Sequence, residues 1–226
     1  MFEKTFIRDD RYKLFLDGFK NTLVIAIFAT LIGVLIGLIV AVVKVWHKQY
    51  PKNVFLKILN IVAEVYTTII RGTPVVVQLM IAYFIIFAFS DRAVLVGIIA
   101  FSFNSGAYVS EIIRAGINAV DKGQTEAGRS LGLSQFTTMK SIVLPQAFKN
   151  ILPALGNEFI AILKETSVIG YLGVVDLTKA GEMVRSRTAD AFFSLIFVAI
   201  VYLVLVLGLS ALFKALERRL SKSDRS

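Results

Sequence analysis

Long apolar runs alternate with short charge-bearing segments along this chain. The first run, residues 22–43, holds 22 positions without a charge. At about 1.5 Å rise per residue it measures roughly 33 Å, enough to cross a bilayer as a helix. Residues 53–90 are mostly apolar over 38 positions, too long for one straight crossing. Arg71-Gly72-Thr73-Pro74 divides them: Pro74 suits a first helical turn, Thr73 can cap it and Gly72 permits the bend. The pattern predicts one helix over 53–70, a non-helical break at 71–73 and a second helix over 74–89. The break belongs toward the outer side, buried by protein or facing a water-filled cavity, since lipid leaves its backbone unsatisfied. Further apolar runs cover 93–117, 146–169 and 191–213. The expectation is an all-α polytopic membrane protein, one domain over residues 1–226, with five spans.

Between the third and fourth runs lies a polar island, residues 123–145, that does not read as a floppy loop. Asp121 with Gln124 suggests a reciprocal N-terminal cap. Ala127 and Leu131 fall on one helical face, and Gly132 can take the left-handed conformation that ends a short helix. Ser134 can cap a second short helix running to Leu144, with Pro145 closing it. Two stiff helices outside a bundle suit a docking surface; an ordinary structured loop is the alternative.

Charge decides the span count. With five crossings, residues 44–57, 114–149 and 214–225 share one side, holding 14 Lys/Arg against four acids. The other side, residues 1–20, 91–92 and 164–190, holds ten basic residues and nine acids. The positive-inside rule then puts the N-terminus outside, the C-terminus in the cytoplasm and the polar island with it.

Composition agrees: 56% of the 226 residues are hydrophobic and the mean hydropathy is +0.73. The net charge of +9 flanks the apolar runs as topology and lipid-headgroup determinants do, which argues against nucleic acid. Cysteine is absent, removing disulfides, thiolate catalysis and cysteine metal sites. The single histidine, His47, reads as solvated or headgroup-facing. Residues 1–20 carry mixed charges rather than a cleavable signal, so the first run is expected to be retained.

No phosphate-cradling G-x-x-x-x-G-K-[ST], metal cluster or nucleophile–histidine pair points to an enzyme, so no catalytic or metal residue is assigned. Asn150, Ala154, Asn157, Glu158, Ala161 and Glu165 form one stripe on the 146–169 helix, opposite a large apolar face. Glu158 lies near the middle of that span, where a carboxylate is costly and functional by default. The stripe reads as pathway lining or as small-residue packing. Pro153 removes a helical hydrogen bond, and a kink there serves gating or packing. Glu64, roughly 16 Å into its helix, is a second deep carboxylate, either a ligand or a structural partner. Arg71 can bind a carboxylate beside a helix start or lock the break through carbonyls. Glu111 and Arg114, three apart, read as a local ion pair, and Gly33-x-x-x-Gly37 as close packing. Two deep carboxylates with Asn157 adjacent favour a cationic over an acidic solute.

Glu126-Ala127-Gly128, then Gly132, then Ile142-x-Leu144-Pro145 resembles the E-A-A-x3-G-x9-I-x-L-P pattern of ABC-importer permeases, with Gly128 in place of alanine. Gly18-x-x-x-Thr22-Leu23, Arg71-Gly72-Thr73-Pro74 with Gln78, Tyr108-x-x-Glu111-Ile112-x-Arg114, Gly123-Gln124 and Lys164-Glu165-Thr166-Ser167 narrow the likeness to the polar amino-acid (histidine/glutamine/arginine-type) permeases. The resemblance implies a coupling helix at about 121–145, with Gln124, Glu126, Ala127, Gly128, Leu131 and Gly132 docking onto a cytoplasmic ATPase. The residue pattern itself sets the expected substrate pathway at Glu64, Arg71, Asn157, Glu158 and Ala161. The resemblance also implies an ATPase dimer that binds ATP and Mg, with no cofactor in this chain, a second membrane subunit that is a copy of this one, and an extracytoplasmic amino-acid-binding protein, all at a bacterial inner membrane. A secondary transporter and a purely structural membrane subunit are the competing classes.

Overall fold

A computed structural model describes residues 3–222, with side chains through residue 219. Positions 1–2 and 223–226 of the expected single domain, and with them Asp224 and Arg225 of the charge count, lie outside the described residues. Every regular element is helical. α1 spans Tyr12–Gln49, α2 Val54–Gly72, α3 Val75–Ile81, α4 Ala93–Asn118, α5 Lys122–Ser130, α6 Gln135–Thr138, α7 Leu144–Glu165, α8 Leu177–Thr188 and α9 Ala191–Lys222.

The centre of the bundle is the packing of α1 on α4. Gly33 and Gly37 let the two backbones approach: an added Cβ at Gly33 would lie 2.7 Å from Ser105 Cβ. From the other side, a Cβ on Gly106 would meet Ile36 at 2.7 Å. The small-residue pattern in α1 is therefore a packing device. Ile25, Leu79, Val96, Phe101, Ile162, Leu163 and Ile169 close the main core around this crossing.

α1, α4 and α9 are each long and apolar enough to cross a membrane. α2 and α3 form a fourth, broken unit bent by 110°. α7 has the length, 22 residues, but is too polar to fall in that apolar class.

The break differs from its expected form. Thr73 does not cap α3; its hydroxyl donates back to the Ile69 carbonyl at 2.9 Å, and Pro74 occupies the cap position without a side-chain bond. Gln78 does the locking, donating to the carbonyls of Ile70 (2.7 Å) and Thr73 (3.0 Å), while Asn104 of α4 donates to its amide oxygen at 3.0 Å. An amide with two donors and an acceptor serves several orphan groups at once, which a threonine hydroxyl cannot.

A helix absent from the sequence-level expectation is α8. Asp176 caps it by accepting from the amides of Thr178 and Lys179. It is tied to α1 by Asn21, which donates to Val175 O at 2.8 Å, and by Leu177 N–H donating to Thr22 Oγ1 at 3.2 Å. Thr178 and Tyr202 join it to α9 through their hydroxyls at 3.3 Å. Phe6 and Phe15 each meet Phe197 edge to face around the same junction.

Candidate functional site: a charged cavity and a capped docking segment

The segment expected to dock is built from caps. Asp121 starts α5 by accepting from Gly123 N–H at 2.6 Å. The reciprocal box with Gln124 does not form, because Gln124 Oε1 instead accepts from Gln146 at 3.3 Å, tying α5 to the start of α7. α5 ends in a Schellman motif: Leu133 N–H donates to Gly128 O and Gly132 N–H to Arg129 O. Gly132 sits at φ +79°, a conformation that costs other residues. Ser134 then caps α6, accepting from Thr137 N–H at 3.1 Å.

Pro145 does not end this second helix. α6 passes through a wide turn at Met139–Val143 directly into α7, with Pro145 in its first turn. The wide turn just before it accommodates the proline ring and its missing donor, so the segment is continuous with the bundle. Gly128, the departure from the family pattern, is buried: a Cβ there would lie 2.8 Å from Thr138 Cγ2. The side chains left outward include Leu131, 80% exposed, and Phe136, with Gln124, Glu126 and Ala127 beside them.

The second site is a cavity of about 960 Å³ between α1, α2 and α4. Glu64 and Arg71 both line it; Asn157, Glu158 and Ala161 do not. Sequence reasoning joined these five in one pathway, whereas the fold separates the α2 pair from the α7 group. On α7, Asn157 is exposed and Glu158 half-buried, while Ile151, Ile160, Ile162 and Leu163 turn inward.

The residue that organises the cavity is Lys44, read from sequence only as part of a basic juxtamembrane segment. Its side chain is 4% exposed. The ammonium donates to Glu111 Oε1 at 2.9 Å and to Thr67 Oγ1 at 2.9 Å, and lies 3.4 Å from Glu64 Oε1. Arg114 grips the other oxygen of Glu111 through Nη2 at 2.6 Å and Nε at 2.9 Å. The expected Glu111–Arg114 pair is thus present, inside a network that crosses three helices. Glu64 is paired, which takes away one of the two free carboxylates behind the cationic preference. His47, expected to be solvated or headgroup-facing, lines the same cavity with Nδ1 buried and unbonded. The sequence signal for Lys44 was available: a lysine directly after 22 uncharged residues, with two acids in facing spans.

Arg71 does not lock the break, which Gln78 holds. Its guanidinium lies 5.5 Å from the Tyr108 ring centroid, a cation–π contact, and makes no ion pair among the described residues.

Comparison with known proteins shows the family. The chain is 40% identical over 212 residues to the arginine transport system permease protein ArtQ of Bacillus subtilis, covering 92% of this chain and 93% of that one. It is 36% identical over 211 residues to the glutamine transport system permease protein GlnP of Escherichia coli K12, covering 92% and 93%. The crystal structure of an amino acid ABC transporter with histidines superposes with a TM-score of 0.84 at 43% identity, covering 92% of this chain and 94% of that one. Residues 33–222 match the family described as binding-protein-dependent transport system inner membrane component. The chain belongs to that family, the translocation subunits of ABC importers.

Proposed function

We propose that this chain carries polar amino acids across a bacterial inner membrane by alternating access, driven by a cytoplasmic ATPase dimer that binds ATP and Mg. Two copies of the chain form the membrane part, and an extracytoplasmic binding protein delivers the solute. The relatives named for arginine and glutamine support the substrate class. A cationic preference rests on Glu158 alone once Glu64 is counted as paired. Exposed apolar faces on α2 (Phe55, Ile58, Val62, Ile69) and α9 (Leu203, Val204, Leu207) supply surface for a second copy and for lipid.

In this reading the bent α2–α3 unit and α7 complete five spans, with the N-terminus outside and residues 121–145 in the cytoplasm. Membrane-impermeant thiol labelling at Lys179→Cys from outside and at Lys48→Cys from inside checks the orientation; outside labelling at Lys48→Cys sinks it.

The observation that carries coupling is the α5–α6 knob, fixed at every turn by a cap yet presenting Leu131 and Phe136 to solvent. Such a body transmits force without bending. ATPase closure pushes it, and α7, continuous with it, relays the movement into the bundle. Gly132→Val forces a β-branched residue into the left-handed region, at a cost of about 1–2 kcal/mol. The expected result is an inserted bundle whose ATP-driven uptake is lost or whose ATPase no longer co-purifies. Unchanged uptake with a stably bound ATPase contradicts the assignment. Uptake that persists on an ion gradient in ATP-free vesicles would favour a secondary transporter.

A further inference from the structure

We infer that Arg71 and Glu64 form a charge pair for the amino-acid headgroup, Arg71 taking the α-carboxylate and Glu64 the α-ammonium, with Lys44 competing for Glu64. This rests on the transport reading above and names the recognition residues within it.

The two side chains are seven residues apart on α2, so they lie about 20° apart around the helix and about 10 Å apart along it. Both line the cavity. Of the other cations there, Lys44 and Arg114 are already engaged, while Lys48, like Arg71, makes no ion pair among the described residues. Lys44 and Arg114 close on Glu111 at hydrogen-bond distance, 2.9 and 2.6 Å. Glu64 has only the 3.4 Å approach of Lys44, longer than a charge-assisted hydrogen bond, and its side chain is 57% exposed. It is the carboxylate that the cavity sees. Arg71 has no acid at all among the described residues, and its ring contact with Tyr108 orients the guanidinium while leaving its donors available.

The charge balance selects the ligand class. Lys44, Lys48, Arg71 and Arg114 face Glu64 and Glu111, so the lining carries an excess of positive charge. A polycation would meet Arg71 unfavourably, and a simple anion would leave Glu64 unused. A zwitterion answers both, because its carboxylate and ammonium sit on one carbon and the planar guanidinium fork matches the carboxylate. When the ammonium takes Glu64, Lys44 keeps Glu111 and Thr67, so the exchange strands no buried charge. α2 is then held to α1 and α4 through Thr67 alone in this network. The solute's side chain is not read by the pair and lies in the remainder of the cavity.

The test uses the full complex with its ATPase in nanodiscs and radioligand competition with arginine and glutamine. Each is compared with its carboxamide, which lacks the carboxylate, and its des-amino analogue, which lacks the ammonium. Wild type is expected to lose about tenfold or more in affinity for either analogue, the scale of one charged hydrogen-bonded contact. Arg71→Gln should abolish discrimination against the carboxamide while keeping it against the des-amino analogue. Glu64→Gln should do the reverse, and Arg71→Lys should restore part of the carboxamide discrimination. Variants that keep full discrimination in a complex that still transports overturn the headgroup pair and leave the transport reading standing. Loss of discrimination at one position only overturns the pair as stated. An intact wild-type complex that neither binds nor transports either amino acid overturns the transport reading itself.

Discussion

The cavity between α1, α2 and α4 and the junction of α8 with α1 and α9 hold the same bundle together by opposite means. Apart from the Asp176 carboxyl that caps α8, the junction uses neutral groups: Thr22, Asn21, Thr178 and Tyr202 bond to backbone or to one another, and Phe6, Phe15 and Phe197 seal it. Gly18 brings α1 so close that an added Cβ would stand 2.6 Å from the Asp176 carbonyl oxygen. Nothing there can exchange partners without stranding a buried dipole, which costs about 1–3 kcal/mol per group. The cavity instead uses full charges of graded closeness, with Glu64 the loosest and partly in water. Charged pairs of that kind trade partners at little net cost, because solvent or a ligand replaces what is lost. The lesson is a division of labour: a fixed joint beside a rearrangeable one, which suits the alternating access proposed for this subunit.

Breaking each joint should have different consequences. Lys44→Met leaves Glu111 facing only Arg114 and Thr67 without its donor. Removing one partner of a buried pair is expected to cost about 3 kcal/mol or more, read as a lower Tm of the purified complex. Lys44→Met together with Glu111→Met should recover much of it, since an apolar pair is often neutral. Gly18→Val is expected to cost about 2–3 kcal/mol by overpacking against backbone, with substrate affinity of the surviving complex unchanged. Altered affinity in that variant would show that the two joints are not independent.

The smallest effect concerns pH. Burial pushes the Asp176 carboxyl above its ordinary range, against the hydrogen bonds from Lys179 and Thr178 that favour ionisation. A raised acid contributes stability that is fully present below its unfolded pKa and is lost as pH rises through the folded one. Asp176→Asn keeps the cap acceptor and cannot ionise. The variant should flatten the fall in Tm with rising pH across that window, by less than about 1 kcal/mol in all. A wild-type-like slope refutes the assignment to Asp176.

The proposed docking segment was legible because its structure is local. Asp121, Gly132 and Ser134 act within three or four positions of themselves, and cap chemistry reads at that range. The errors there, Gln124 and Pro145, arose where a residue reached beyond it, Gln124 to Gln146 and Pro145 into the next helix. The cavity was legible only in pieces. Glu64, Arg71 and the Glu111–Arg114 pair stood out as charges in apolar runs, yet their partner Lys44 comes from a helix 20 positions from the one and 67 from the other. Helical periodicity says which face a residue occupies and is silent on which helix that face meets. The stripe on α7 is real as a face, with Asn157 outward, but it does not turn toward the α2 charges.

The central claim is that the cavity between α1, α2 and α4 is where the amino acid passes. Thr68 lines it, next to the Thr67 that Lys44 holds, and the chain has no native cysteine to confuse a label. Thr68→Cys in the reconstituted importer, treated with a hydrophilic thiol reagent from the cytoplasmic side, measures this directly. The account predicts rapid labelling that saturating arginine or glutamine slows severalfold, with transport by the unlabelled variant retained. Labelling at the same rate with and without the amino acid, in a complex that still transports it, would contradict the account.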